Sequence, residues 1–188
     1  MNKQPEVTEA TRAALVEAFC SFYRDRPVER ITVKEVAEKA GYSRATYYKY
    51  FTDNYDLLDY VEESVVDTAL SRLENLAPHS ADWAESFVSS FADVVESTRA
   101  YSAIFANPSG TARFTARAKR EVVPRVMRAL NVHEDDRRAL AALEFHTAGL
   151  VAVLGYWLGG NWDASAEEVA HLVRGILNDG VLAQLGHS

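Results

Sequence analysis

Between widely spaced glycines and prolines, the apolar residues of this chain recur with a period close to 3.6, and that rhythm limits the fold to helices. Leu15, Ala18, Phe19, Phe22 and Tyr23 fall at i, i+3, i+4, i+7 and i+8, the single stripe of a first helix. The breakers sit where helices would end: Pro27, Gly41, Pro78, Pro108 with Gly110, then Gly159 and Gly160. No strand pattern, repeat or low-complexity tract interrupts them, so an all-α chain of about nine helices is expected. Beyond Pro78 the pattern predicts helices near 81–97, 98–106, 111–130, 135–159 and 166–184. Ser165 with Glu168 three residues on forms a capping box at the start of the last.

The 188 residues are 48% hydrophobic, enough for a real core. Cys20 is the single cysteine, which rules out an intramolecular disulfide and a paired-cysteine metal site, and a reducing cytoplasm fits. The start "MNKQPEVTEA" lacks an apolar export segment. The longest apolar run, Ala148 to Leu158, is eleven residues, against the roughly 17 to 25 of a spanning helix. It reads as a buried helix, and no membrane partner is expected.

A net charge of −7 argues at first against a nucleic-acid partner, but the charge is unevenly placed. Residues 1–52 carry 9 Lys and Arg against 7 Asp and Glu, whereas 53–188 carry 11 against 20. The positive segment holds "ITVKEVAEKAGYSRATYYKYF". Thr32 can cap a short helix and Glu35 can reach back to it, Gly41 ends that helix, and Ser43 caps a second helix from Arg44 to Phe51. Two short helices joined by a glycine turn describe a helix-turn-helix, whose second helix enters the major groove by its leading end. Arg44, Ala45 and Thr46 stand at that end, where arginine can read guanine. Tyr48, Lys49 and Tyr50 would hold phosphates, tyrosine packing its ring while its hydroxyl reaches outward. Tyr47 faces the core with Phe51, and Asp53 with Asp56 opens a fourth helix. On spacing alone another reading stays open: a helical small-molecule binder or enzyme whose N-terminal helices dock a protein.

The run from Arg30 to Leu58 resembles the DNA-binding signature of the TetR family of bacterial transcription regulators, in Thr32, Val33, Val36, Ala37, Ala40, Gly41, Ser43, Thr46, Tyr48 and Phe51. The resemblance covers about fifty residues, with a fainter echo from Phe145 to Val173. It implies a DNA-binding domain over 8–68 and an effector-binding and dimerisation domain over 69–188, in a homodimer that binds a palindromic operator and is released by a small molecule. By position it implies DNA contacts at Thr32, Ser43, Arg44, Ala45, Thr46, Tyr48, Lys49 and Tyr50. Two departures stand out. Asn54 occupies a position where the family often has lysine, which would weaken backbone affinity, and Ala45 replaces a frequent glycine.

The rest of the chain offers a pocket rather than chemistry. Trp83, Phe87 and Phe91 at i, i+4 and i+8, with Tyr101, Phe105, Phe114 and His146, are candidate pocket residues, although such stripes are more often core. Apolar residues on every face of 145–158 suggest a helix buried on more than one side, one face over a cavity and another on a partner subunit. Gly149, Ala152 and Gly155, with Val169, Leu172, Val173, Ile176 and Leu177, are the candidate dimer residues. The basic run Arg113 to Arg128 reads as solvated surface with local ion pairs, with an anionic effector at Arg113 or Arg117 as the other possibility. The five histidines lack metal-ligand spacing, and no nucleophile elbow, phosphate loop or zinc motif is present, so neither cofactor, metal nor catalysis is expected.

Overall fold

The computed structural model describes residues 5–73, 83–106, 108–129 and 131–179, and they contain helices and no strand. In order these are α1 (Pro5–Tyr23), α2 (Val33–Lys39), α3 (Arg44–Tyr47), α4 (Asn54–Leu73), α5 (Trp83–Ser97), α6 (Ala103–Ala106), α7 (Pro108–Ala129), α8 (Arg137–Tyr156) and α9 (Ala166–Asp179). Among the described residues each expected helix is found with bounds shifted by a few residues, while the expected start at 81 and end at 184 lie outside them. The largest difference is α3, which is α-helical only to Tyr47. Beyond it Lys49 N–H bonds Thr46 O and Tyr50 N–H bonds Tyr47 O, three residues back, so the helix closes in tighter turns before Phe51.

The stripe read from α1 packs against α2, α3 and α4. Leu15, Phe19, Val36, Ala37, Tyr47, Leu57, Leu58 and Val61 are fully buried there. Phe19 and Tyr23 stack with ring centroids 5.3 Å apart. Cys20 lies in the same core, where burial raises its thiol to about 12 against the opposing pull of Arg24, so it stays a protonated, inert side chain. This core runs on without a break through Ala103, Ile104 and Phe105 of α6 to Phe114 and Ala118 of α7. The N-terminal helices are thereby seated directly on the C-terminal half.

Further on, α7 pairs with α8 and α5 with α9. Asp136 caps α8 by accepting from Arg138 and Ala139 N–H at 3.0 and 3.1 Å. At Gly155 a Cβ would stand 3.2 Å from Phe105 O, so a small residue there is what lets α8 lie close against α6. After Tyr156 the backbone widens into a single π-type turn, Trp157–Asn161, and Trp157 Nε1 donates to Ala164 O at 2.8 Å across the corner. The capping box expected at Ser165 is present: Ser165 N–H donates to Glu168 Oε2 at 2.7 Å and Glu168 N–H to Ser165 Oγ at 3.2 Å.

The helix expected to cover a cavity with one face and to meet a partner subunit with another is covered by its own chain on one face. Residues 137–161 form a helical stretch long and apolar enough, by length and composition, to cross a membrane, and only 11% of its most apolar window is buried. Phe145 is 75% exposed and Tyr156 59%. One face of α8 rests on the protomer, and the rest of its apolar surface is uncovered.

Candidate nucleic-acid interface and cavity

The reading head is built from local caps. Thr32 Oγ accepts from Glu35 N–H at 3.2 Å, while Glu35 Oε2 accepts from Thr32 N–H at 2.9 Å and from its hydroxyl at 2.8 Å. Arg26 Nη1 adds a bond to the other carboxylate oxygen at 3.0 Å. Those donors, the Thr32 backbone first, hold the Glu35 carboxyl down at about 2. At the other end of α2, Gly41 N–H bonds Glu38 O and Tyr42 N–H bonds Ala37 O, the paired bonds of a Schellman stop, with Gly41 at φ +78°. Only glycine takes that conformation without strain. Ser43 Oγ then accepts from Thr46 N–H at 3.1 Å and starts α3 two residues later.

This turn sets which side chains point outward. Ser43, Arg44, Ala45, Tyr48 and Lys49 are exposed, Thr46 and Tyr50 are half-buried, and Thr32 is exposed on the adjoining end of α2. Tyr48 is 58% exposed, its ring meeting that of Tyr47 edge-on with centroids 5.7 Å apart. Among the described residues neither Arg44 nor Lys49 meets a carboxylate. Tyr50 is backed by the Arg12 guanidinium, 5.8 Å from its ring centroid. Of the eight residues expected to touch DNA, six are thus exposed and two half-buried.

Tyr47 is the inward member of the tyrosine run. Its hydroxyl donates to Asn54 Oδ1 at 2.8 Å, and Asn54 Nδ2 donates to Ile31 O at 2.7 Å. Asn54, read from the sequence as a weakened backbone contact, is only 6% exposed. It ties the second helix of the motif to the segment before α2. A lysine there would have to leave the core, whereas asparagine bridges the Tyr47 hydroxyl and the Ile31 carbonyl.

The arginines of α7 are differently placed from what the sequence suggested. Arg113 Nε donates to Glu62 Oε1 at 3.0 Å and its Nη2 to Asp59 Oδ1 at 2.8 Å. Arg117 Nε donates to Glu62 Oε2 at 2.9 Å, its Nη2 also meets Asp59, and its Nη1 lies 3.4 Å from Glu121. Glu62 is 1% exposed. The pair is therefore a buried fastening between α4 and α7 rather than solvated surface, and its guanidiniums are already taken by carboxylates. Spacing along α7 gives no hint of this, because the partners lie more than fifty residues away in sequence.

A cavity of about 450 Å³ lies between α4, α5, α7, α8 and α9. Phe91, Phe105, Phe114 and His146 line it, Tyr101 does not, and the side chains of Trp83 and Phe87 lie outside the described residues. The aliphatic wall from α4, α7 and α8, including Val66, Leu70, Val123, Val151 and Leu154, was not singled out from the sequence. Those residues belong to stripes that look like any helical core. Burial lowers His146 below its ordinary range, so its ring is neutral at physiological pH.

On the outer face, Phe145, Gly149, Ala152 and Tyr156 are exposed at spacings of 4, 3 and 4, one stripe along α8. A shallow hollow beside it is lined by Ala152, Val153, Tyr156, Trp162 and Leu172. Gly155 faces α6, and Val169 and Val173 are buried in the protomer's own core. Ile176 is half-buried, and Leu177 is 40% exposed while also lining the cavity.

The family model of bacterial regulatory proteins of the tetR family matches residues 15–61, the stretch from the second half of α1 to the first turns of α4, with all of the capped turn. Over those residues the chain carries the N-terminal domain of tetR-family regulators. The chain is similar to the HTH-type transcriptional regulator YfiR of Bacillus subtilis (strain 168), 30% identical over 93 residues, which are 47% of this chain and 44% of that protein. It is also similar to YxbF of the same organism, 37% identical over 57 residues, 30% of this chain and 15% of that one. The match thus spans less than half the length of these relatives. Solved structures share the fold over far more of the chain. A tetR-family regulator from Streptomyces coelicolor superposes with a TM-score of 0.62 at 15% identity, covering 94% of this chain and 85% of that one. The fatty acid degradation regulator FadR from Bacillus halodurans gives 0.64 at 13%, covering 96% and 98%.

Proposed function

We propose that this protein is a TetR-family regulator, a cytoplasmic homodimer that binds a palindromic operator through Arg44, Ala45 and Thr46 and represses transcription until a small molecule fills its cavity. The observation that carries the reading is the exposed face of the head. Arg44 and Lys49 project there without carboxylate partners among the described residues, beside an exposed Tyr48, from a turn fixed by two caps and a positive-φ glycine. Cations left exposed and unpaired are available to displace counterions from phosphate, and a rigid turn keeps them in register with the groove. Thr32, Ser43, Tyr48, Lys49 and Tyr50 would hold the backbone.

A dimer is supported by the exposed α8 stripe, whose two glycine and alanine positions permit close approach between Phe145 and Tyr156. Such a pairing places two heads about 34 to 36 Å apart on successive major grooves, which is why the operator should be palindromic. The effector acts only if it prefers the arrangement that cannot hold DNA.

Selection of bound duplexes from a random pool at about 100 mM salt tests the reading. An enriched palindrome whose affinity falls steeply between roughly 50 and 200 mM salt is the expected result. A folded dimer that enriches nothing, and whose weak binding ignores salt, would favour a head that docks protein instead.

A further inference from the structure

The cavity changes character with depth. Its buried wall is hydrocarbon and phenyl ring, as at Val66, Leu70, Phe105, Phe114, Val123 and Val151. Its exposed lining residues include Arg72, Arg99 and Arg125, and no carboxylate lines it among the described residues. Two of the three cations are answered from outside the lining. Arg72 Nη1 is 3.5 Å from Asp93 Oδ2, and Arg99 Nη1 is 3.4 Å from Glu96 Oε2. Arg125 meets no carboxylate among the described residues.

The remaining polar groups add little charge. Thr98 turns its hydroxyl to Val94 O at 2.7 Å, and His146 is neutral. A ligand cation would meet three arginines and no carboxylate in the lining among the described residues, whereas a single anion could draw on Arg125, whose planar donors fit a carboxylate. An anion carried deeper would be stranded in hydrocarbon, so the charge belongs at the rim and the body inside.

We infer that the cavity takes a monoanionic amphiphile, its hydrocarbon body against Phe105 and Phe114 and its carboxylate on Arg125. Allowing roughly 30 Å³ for each non-hydrogen atom, about 450 Å³ holds a molecule of about fifteen such atoms. A medium-chain carboxylate such as decanoate is near that size. The inference rests on reading the cavity as the effector site.

Calorimetric titration of the full-length protein, without DNA, with decanoate, decan-1-ol and decylammonium below their aggregation thresholds tests it. Decanoate is expected to bind at least about tenfold more tightly than the alcohol, with decylammonium weakest. Arg125→Gln, which keeps most of the stem, should bring decanoate to the alcohol's affinity while leaving the alcohol unchanged. Ala69→Trp, which fills the cavity from α4, should remove both. Equal affinity for acid and alcohol, a selectivity unaltered in Arg125→Gln, or no binding by any of the three would each overturn the inference. Because no DNA is present, such a failure leaves the operator reading to the duplex selection. A failed selection with decanoate selectivity intact would sink the regulator and leave the ligand class standing.

Discussion

At the reading head Arg44 and Lys49 stand exposed without carboxylates among the described residues, whereas on α7 Arg113 and Arg117 bracket the buried carboxylate of Glu62. The side-chain chemistry is the same and the surroundings decide its use. An exposed cation keeps its hydration until phosphate replaces it, so it contributes to binding and little to folding. A guanidinium whose donors already meet two carboxylates is a structural tie, and a new anion would have to displace them. The difference also separates the two halves energetically. Substitutions at the head should alter DNA affinity with stability unchanged, and substitutions at the α4–α7 fastening should do the reverse at first order.

The sharpest way to break this contrast is Glu62→Gln. Removing the buried charge leaves Arg113 and Arg117 facing a neutral amide in a site where Glu62 is 1% exposed. A loss of about 3 kcal/mol is expected, since one partner of a buried pair is gone and the other remains. Urea unfolding of wild type and variant measures it, and a change below about 0.5 kcal/mol, the size of an ordinary surface substitution, would mean the fastening is a surface pair after all.

Arg44→Ala and Lys49→Ala come next. Arg44→Ala should weaken the selected operator by about 1 to 3 kcal/mol and relax preference at one base position, while Lys49→Ala should weaken all duplexes alike and reduce the salt slope by about one. Both should leave the urea midpoint within about 0.5 kcal/mol of wild type. Fluorescence anisotropy across a salt series reads the first effect and urea unfolding the second. A large stability loss at either position would show that the cations hold the head together rather than serve a partner.

How much of this was legible in the sequence follows the range of the interactions. The capping boxes at Thr32 and Ser165, the Gly41 stop and the Ser43 cap are contacts within about four residues, so residue types at fixed spacing disclosed them. Tyr47 was recognisable as inward by its place beside Phe51, but its partner Asn54 was not, because a buried asparagine looks like a surface one until Ile31 O is placed beside it. Arg113 and Arg117 misled for the same reason at longer range. For α8 the all-round apolar pattern announced that something covers each face, and not which face the same chain covers. The cavity's aromatic members stood out by size, while its aliphatic wall is drawn from helices whose stripes serve core and pocket alike.

Tyr47→Phe offers a smaller test on the head itself. It removes the hydroxyl that Asn54 Oδ1 accepts and leaves that buried oxygen unpaired. A loss of about 1 to 2 kcal/mol is expected. Because the ring stays in place, DNA affinity measured at a temperature where the variant is folded should change only if the Asn54 tie sets the angle of α3. A fall in operator affinity with the salt slope intact would assign that role to it, and unchanged affinity would make it a stability contact alone.

The smallest effect concerns pH. Glu35 is ionised in the folded head down to about 2, because Thr32 and Arg26 donate to it, whereas in an unfolded chain it would take up a proton near 4.5. A group whose folded value is depressed stabilises the protein above the unfolded value, and that contribution fades as pH falls from about 4.5 toward 2. The carboxylate is solvent-facing, so the slope it adds is shallow. Glu35→Gln keeps a side chain able to accept from Thr32 but cannot titrate. Its urea midpoint should therefore fall less steeply than that of wild type between pH 4.5 and 2, with the two curves converging at the acid end. Parallel curves would show that the capping box is held by geometry alone.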